Sequence, residues 1–436
     1  MNKIINFFQK LGPAIVFAGA AVGVSHLVQA SRAGANFGYQ LLAFVVLVHL
    51  LKYPFFEYGN LYASATGESL IYAYKKINKY LVHAYIVFNL AMVSITQAAV
   101  TIITAGLMAN IFPNLNLSIS LWSLILLALC SVILILGHYK WLERASKVIL
   151  LILTISLISS VALSFMEPSN SITLKNGVLF EDIFNTEIVQ QATKKNFFSW
   201  SNIADFSFLI AMMGWMPAPM DFSIWNSIWT KAKLKGDSGK EHCDNALFDS
   251  KVGYVLTASL AVLFLVLGAK VVYSQGASLP NGAVDFSAAL INMFTKHLGN
   301  WAKPIISIAA FATMFSTTLT CLDGYPRVIV NAITELKSMS NKTYNTLYHS
   351  MIAFAAVTTM IVILFFTKNM KAYIDFITIV SFLCAPVFAF INYRVIFKTD
   401  FPENYQPGRL NRSLAKLGLV FLILFSLVFV WFRIFN

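Results

Sequence analysis

Eleven apolar runs, each long enough to cross about 30 Å of hydrocarbon, leave this chain few options. They fall at 12–34, 37–63, 81–111, 119–138, 146–166, 202–229, 251–274, 302–323, 345–367, 372–396 and 413–434. Runs of this length satisfy their backbone N–H and C=O groups in lipid by coiling into helices. The expected fold class is an all-α polytopic membrane protein with eleven transmembrane helices, forming one transmembrane domain over residues 1–436. Only 12% of residues are charged, about half the share found in soluble domains. A net charge of +13 does not imply nucleic acid, because Lys and Arg collect in the cytoplasmic loops of membrane proteins. With the N-terminus inside, the inner segments hold 21 of them and the outer segments 10. The N-terminus is therefore expected in the cytoplasm and the C-terminus outside, with the chain a multi-pass monomer in the cell membrane. Cys130, Cys243, Cys321 and Cys384 are too scattered for a disulfide framework or a zinc motif.

Two of the runs are interrupted. In the sixth, "AMMGWMPAPMDFSIWN" spans Ala211 to Asn226, and Pro217 and Pro219 stand two residues apart. Each proline removes a backbone donor and clashes with the carbonyl four residues back, so no continuous helix crosses this point. Irregular backbone at membrane depth is tolerated only in protein or beside a watery cavity, which makes the break a binding-site signal. Met216, a soft sulfur donor, and Asp221, an ionisable group, flank it. In the first run, Gly23-Val24-Ser25-His26 sets a helix-weak residue beside two polar ones at mid-depth. Two interrupted helices heading two five-helix halves mark an inverted-repeat secondary transporter. The halves are residues 1–166 (spans 1–5) and 201–396 (spans 6–10), with 413–434 as an extra span.

At these residues the chain resembles the natural resistance-associated macrophage protein (NRAMP) family of proton-coupled divalent-metal transporters. Gly12-Pro13, Ala33-Gly34-Ala35, Gly38-Tyr39 and Ala65-Thr66-Gly67 stand at matching distances. So do Met216-Pro217-Ala218-Pro219, Met314 to Thr320 and Pro386 to Arg394. The resemblance implies a LeuT-like fold with broken helices 1 and 6. It makes Met216 a metal-binding thioether and the Met213 carbonyl its backbone companion. Gly23 and His26 stand where the family has its metal-binding Asp and Asn. Ala218 and Val100 replace a histidine and an acidic residue of the family's proton route.

Thioether and imidazole suit transition metals but bring no negative charge. That charge has to come from Asp221, one turn past the break, or from Asp323 near the end of span 8. The candidate substrate-binding residues are thus Gly23, Ser25, His26, Met213, Met216, Asp221 and Asp323, with His26, Met216 and Asp221 as metal ligands. Each also has a plain structural role open to it: a backbone bond for His26, packing for Met216, a helix cap for Asp221 or Asp323. Lys52 and Glu57 read as an internal pair in span 2, and Arg32 as snorkelling at the outer mouth. The expected function is a secondary transporter of a divalent transition-metal ion, working by alternating access with proton coupling weak or absent. The alternative is a carrier of the same fold for a non-metal solute or another ion. No nucleophile–base set, phosphate loop or zinc signature points to an enzyme, and no cofactor is implied. The expected partners are a small ion or solute and the lipid bilayer.

Overall fold

The computed structural model describes residues 21–137, 139–166, 197–234, 240–366 and 369–435. Gly12, Pro13 and most of the 167–200 connection lie outside them. Among the described residues every regular element is helical. A π-helical stretch, Ser25–Ala30, leads into α1 (Ser31–Phe37), followed by α2 (Leu42–Thr66), α3 (Leu70–Ile77) and α4 (Lys79–Ile111). Next come α5 (Ile119–Leu136), α6 (Tyr139–Met166), α7 (Ile203–Gly214), α8 (Phe222–Leu234) and α9 (Lys240–Val271). The chain closes with α10 (Ala283–Leu298), α11 (Lys303–Leu336), α12 (Asn341–Phe366), α13 (Met370–Lys398) and α14 (Arg409–Phe435).

Among the described residues, eight helices are long and apolar enough to span a membrane, and the stretches Leu151–Met166 and Ile203–Gly214 are shorter apolar helices. The sixth run is two half-helices, α7 and α8, because the Pro217–Pro219 stretch cannot continue α7. Two amphipathic helices, α3 and α10, sit in connections too short and too polar to read as spans. The eighth run continues to Leu336 rather than stopping at 323, with Pro326 inside the helix. Packing neighbours re-satisfy the group a proline frees in a membrane helix.

Tight helix packing rests on bare backbone contacts, the usual device where lipid leaves no hydrophobic drive between helices. A Cβ on Gly214 of α7 would lie 1.9 Å from the Thr378 carbonyl oxygen of α13. One on Gly59 of α2 would lie 2.0 Å from the Ser223 carbonyl of α8. Between α1 and α9 the arrangement is reciprocal, Gly34 on Leu265 and Gly268 on Ser31. These seams bring the interrupted stretches to the centre of the bundle, with α2, α4, α9, α11 and α13 around them.

Candidate functional site

The two interruptions lie side by side. The Ser25 hydroxyl is 3.5 Å from the Pro217 carbonyl oxygen, although the residues are far apart in sequence. Between them is a cavity of about 30 Å³, room for a water-sized species. Gly23, Ser25, Thr96, Thr317 and Cys321 contribute to its lining, with Trp215 and Phe222 as aromatic walls. The Trp215 indole N–H donates to Ser381 Oγ at 2.7 Å, which fixes that wall to α13.

Gly23 is crowded: a Cβ there would lie 2.8 Å from the Thr317 γ-methyl. Thr317 thus fills the space that any side chain at 23 would use. His26 is fully buried, with Nε2 2.9 Å from the Thr257 carbonyl of α9 and Nδ1 2.7 Å from Ser25 Oγ. A carbonyl only accepts, so Nε2 carries a proton. Both ring nitrogens are therefore engaged, and the imidazole is not part of the cavity wall. Met213, still in the last turn of α7, and Met216, in the break that follows it, are fully buried.

The open ends of the half-helices each carry a charge. The last carbonyls of α7 have no partner within the helix and form its negative end. The Lys52 ammonium, on α2 and fully buried, donates to two of them, Met213 at 2.6 Å and Gly214 at 3.0 Å. At the positive N-terminal end of α8 stands Asp221, 3% exposed, with Oδ2 lacking a hydrogen-bond partner. It lies within electrostatic range of the Tyr74, Tyr85 and Tyr325 hydroxyls. A cation and an anion thus complement the two helix ends.

Other candidates lie elsewhere. Asp323 is mid-helix in α11, bonded to the Arg327 guanidinium at 2.6 and 3.1 Å and to the Tyr348 hydroxyl; it is apart from the cavity. Lys52 and Glu57 do not pair: five residues apart on a helix, they point about 140° away from each other. Glu57 accepts instead from Asn411 of α14 at 2.6 Å. Arg32 is buried rather than snorkelling. Its guanidinium grips Asp375 of α13 at 2.7 and 2.8 Å and lies 4.9 Å from the Phe208 ring centroid. Gln29 joins from below, donating to Asp375 Oδ1 at 3.0 Å. This cluster ties the start of α1 to α13. In the sequence Lys52 stands out as an intramembrane charge, but its partners are backbone carbonyls, which no side-chain pattern can reveal. Among the described residues, no group of three or more His, Cys, Asp and Glu side chains could hold a metal ion.

Paired helix breaks at mid-bundle, flanked by close-packed helices, define a membrane transport protein with a LeuT-like fold. The family model for natural resistance-associated macrophage protein-like proteins matches residues 14–432. The chain belongs to that family. It is 33% identical over 425 residues to an uncharacterized protein of Pasteurella multocida (strain Pm70), covering 97% of this chain and 92% of that one. It resembles the crystal structure of an Eremococcus coleocola manganese transporter in complex with an aromatic bis-isothiourea substituted compound. There the TM-score is 0.66 at 14% identity, over 96% of this chain and 85% of that one. The fold is also similar to Mhp1, a nucleobase-cation-symport-1 family transporter, with TM-score 0.61 at 11% identity over 97% and 91% of the two chains.

Proposed function

We propose that this protein is a secondary transporter that moves a divalent transition-metal ion by alternating access. The observation that carries the reading is the break in the sixth span, which lies against Ser25 of the first interruption beside a small buried cavity, with Met216 in the break and Met213 just before it both fully buried. Family membership supports it, as does the likeness in fold to a manganese transporter. The thioether favours soft and borderline ions over Mg and Ca, which prefer all-oxygen shells. Residues 1–166 and 201–396 act as the two inverted halves, and the Lys and Arg bias supports a cytoplasmic N-terminus and an external C-terminus. One chain holds both halves of the site, so a monomer suffices. Coupling through the family's proton route is weak or absent, because Val100 and Ala218 carry nothing that titrates.

One observation favours the second reading, a non-metal solute. A divalent ion on the Met213 carbonyl would sit roughly 4 Å from the Lys52 ammonium. At an effective dielectric constant of about 20 the repulsion is on the order of 8 kcal/mol. Under the metal reading the ion's charge has to be offset by Asp221, from the other end of the break.

Calorimetry and liposome uptake with Mn, Fe, Co, Ni, Zn, Cd, Mg and Ca, beside non-metal solutes, decide between the two. Micromolar-to-millimolar binding of Mn or Cd, weakened about 5- to 150-fold by Met216→Ala, supports metal transport. Binding of none of these metals refutes it and leaves the solute carrier.

A further inference from the structure

We propose that Lys52 is a specificity-determining residue: a built-in cation that holds the substrate ion's place on the carbonyl end of α7. The inference rests on the metal reading above and deepens it. The Lys52 side chain is fully buried, and among the described residues its hydrogen-bond acceptors are the Met213 and Gly214 carbonyl oxygens, with no carboxylate bonded to it. An ammonium held solely by the exposed carbonyls of a helix terminus is in the position a coordinated metal cation would take. Those carbonyls carry the partial negative charge of the helix end, so they attract either cation and cannot hold both close together.

The surroundings reinforce this exclusivity. His49 stands one turn earlier on α2, and His26, on the π-helical stretch, is bonded on both ring nitrogens. On α9, the Tyr254 hydroxyl donates to the His49 carbonyl at 2.7 Å. On α14, Gly418 packs against the Leu51 carbonyl and brings no charge. Asp221 is at the far end of the break. Lys52 therefore has no side-chain anion to draw it away from the α7 carbonyls. The substrate ion reaches the Met213 carbonyl only by displacing it. The residue thereby sets an affinity threshold: weakly attracted cations do not dislodge the ammonium, and an ion that also bonds the Met216 sulfur does.

The test is Lys52→Gln, which keeps an N–H donor for the carbonyls and removes the charge, compared with the wild type and Lys52→Arg. Calorimetry at one fixed pH with Mn²⁺, Cd²⁺ and Mg²⁺ is the readout, with melting temperature as the check on folding. Lys52→Gln is expected to bind Mn²⁺ and Cd²⁺ at least about tenfold more tightly and to bind Mg²⁺ measurably, because the threshold is gone. Lys52→Arg, which retains the charge, is expected to stay at or below the wild-type affinity. A residue that merely stabilised the break would give loss in both variants, never a gain in one. If a folded Lys52→Gln protein binds Mn²⁺ and Cd²⁺ no more tightly than wild type, the proposal is overturned while the metal reading stands. Should Lys52→Gln fail to fold, Lys52→Met takes its place with the same expected gain. Absence of metal binding in wild type and all variants overturns both.

Discussion

The ion pair between Arg32 and Asp375 ties α1 to α13 a little beyond the first interruption. Asp375→Asn is nearly isosteric and removes the charge that the guanidinium grips through two oxygens. The Arg32 side chain is 6% exposed and that of Asp375 25%. Stripping the partner from a fully buried ion pair costs about 3–5 kcal/mol. Here the water around Asp375, the Gln29 side-chain Oε1 that accepts from Arg32 at 2.9 Å and the Phe208 ring offset part of that, leaving about 2 kcal/mol. If the bonds exist only when this end of the bundle is shut, the closed state loses that amount and the open fraction rises about 30-fold. Cys321, which lines the cavity and is buried, is a native reporter. With Cys130, Cys243 and Cys384 changed to alanine, an externally applied, membrane-impermeant maleimide should modify Cys321 about 10- to 30-fold faster in the Asp375→Asn protein. Asp375→Glu should restore much of the protection. An unchanged rate in a folded Asp375→Asn protein would refute the idea that this pair holds its end of the bundle shut.

Other consequences are open to measurement. Gly23→Asp alone should not raise Mn²⁺ affinity, because the new side chain meets the Thr317 methyl at 2.8 Å; the Gly23→Asp, Thr317→Ala double variant should raise it at least about tenfold, read by calorimetry. Gly214→Ala should lower the melting temperature, since its methyl meets a backbone carbonyl that cannot rotate away, an overpacking cost of about 1–3 kcal/mol or more. Gly408→Ala, with open space around it, should leave the melting temperature unchanged. Substrate-driven acidification of liposomes should be small and insensitive to Val100→Ala; a robust, strictly coupled proton flux through that position would contradict the reading.

The features that were legible in the sequence are local ones. An apolar run and a Pro-x-Pro break announce themselves within twenty residues, so the spans and the interruption at Met216–Pro219 could be placed. Boundaries set by tertiary contacts could not. Asp323-Gly324-Tyr325-Pro326 reads as a helix end. In the fold the helix runs on, because Asp323 pairs with Arg327 one turn ahead and the Trp225 ring packs on the bare face of Gly324. In the site, Lys52 and Arg32 stood out as charges in apolar runs. Their partners, the Met213 carbonyl and Asp375, are 161 and 343 residues away. A single chain does not say which helix will face which. The crowding of Gly23 by Thr317 is invisible for the same reason.

The glycine seams described above divide the centre of the molecule mechanically. Where backbone lies directly on backbone, two helices cannot slide past each other without lifting apart, so α7 travels with α13 and α8 travels with α2. The stretch from Trp215 to Asp221 joins these two seams. Lys52 belongs to the seam of α8, yet its ammonium grips the last carbonyls of α7 in the other. With the bond from Asn392 of α13 to Ser223 of α8 at 2.8 Å, it ties the seams to each other across the break, so substrate that unseats the ammonium removes one of these two ties.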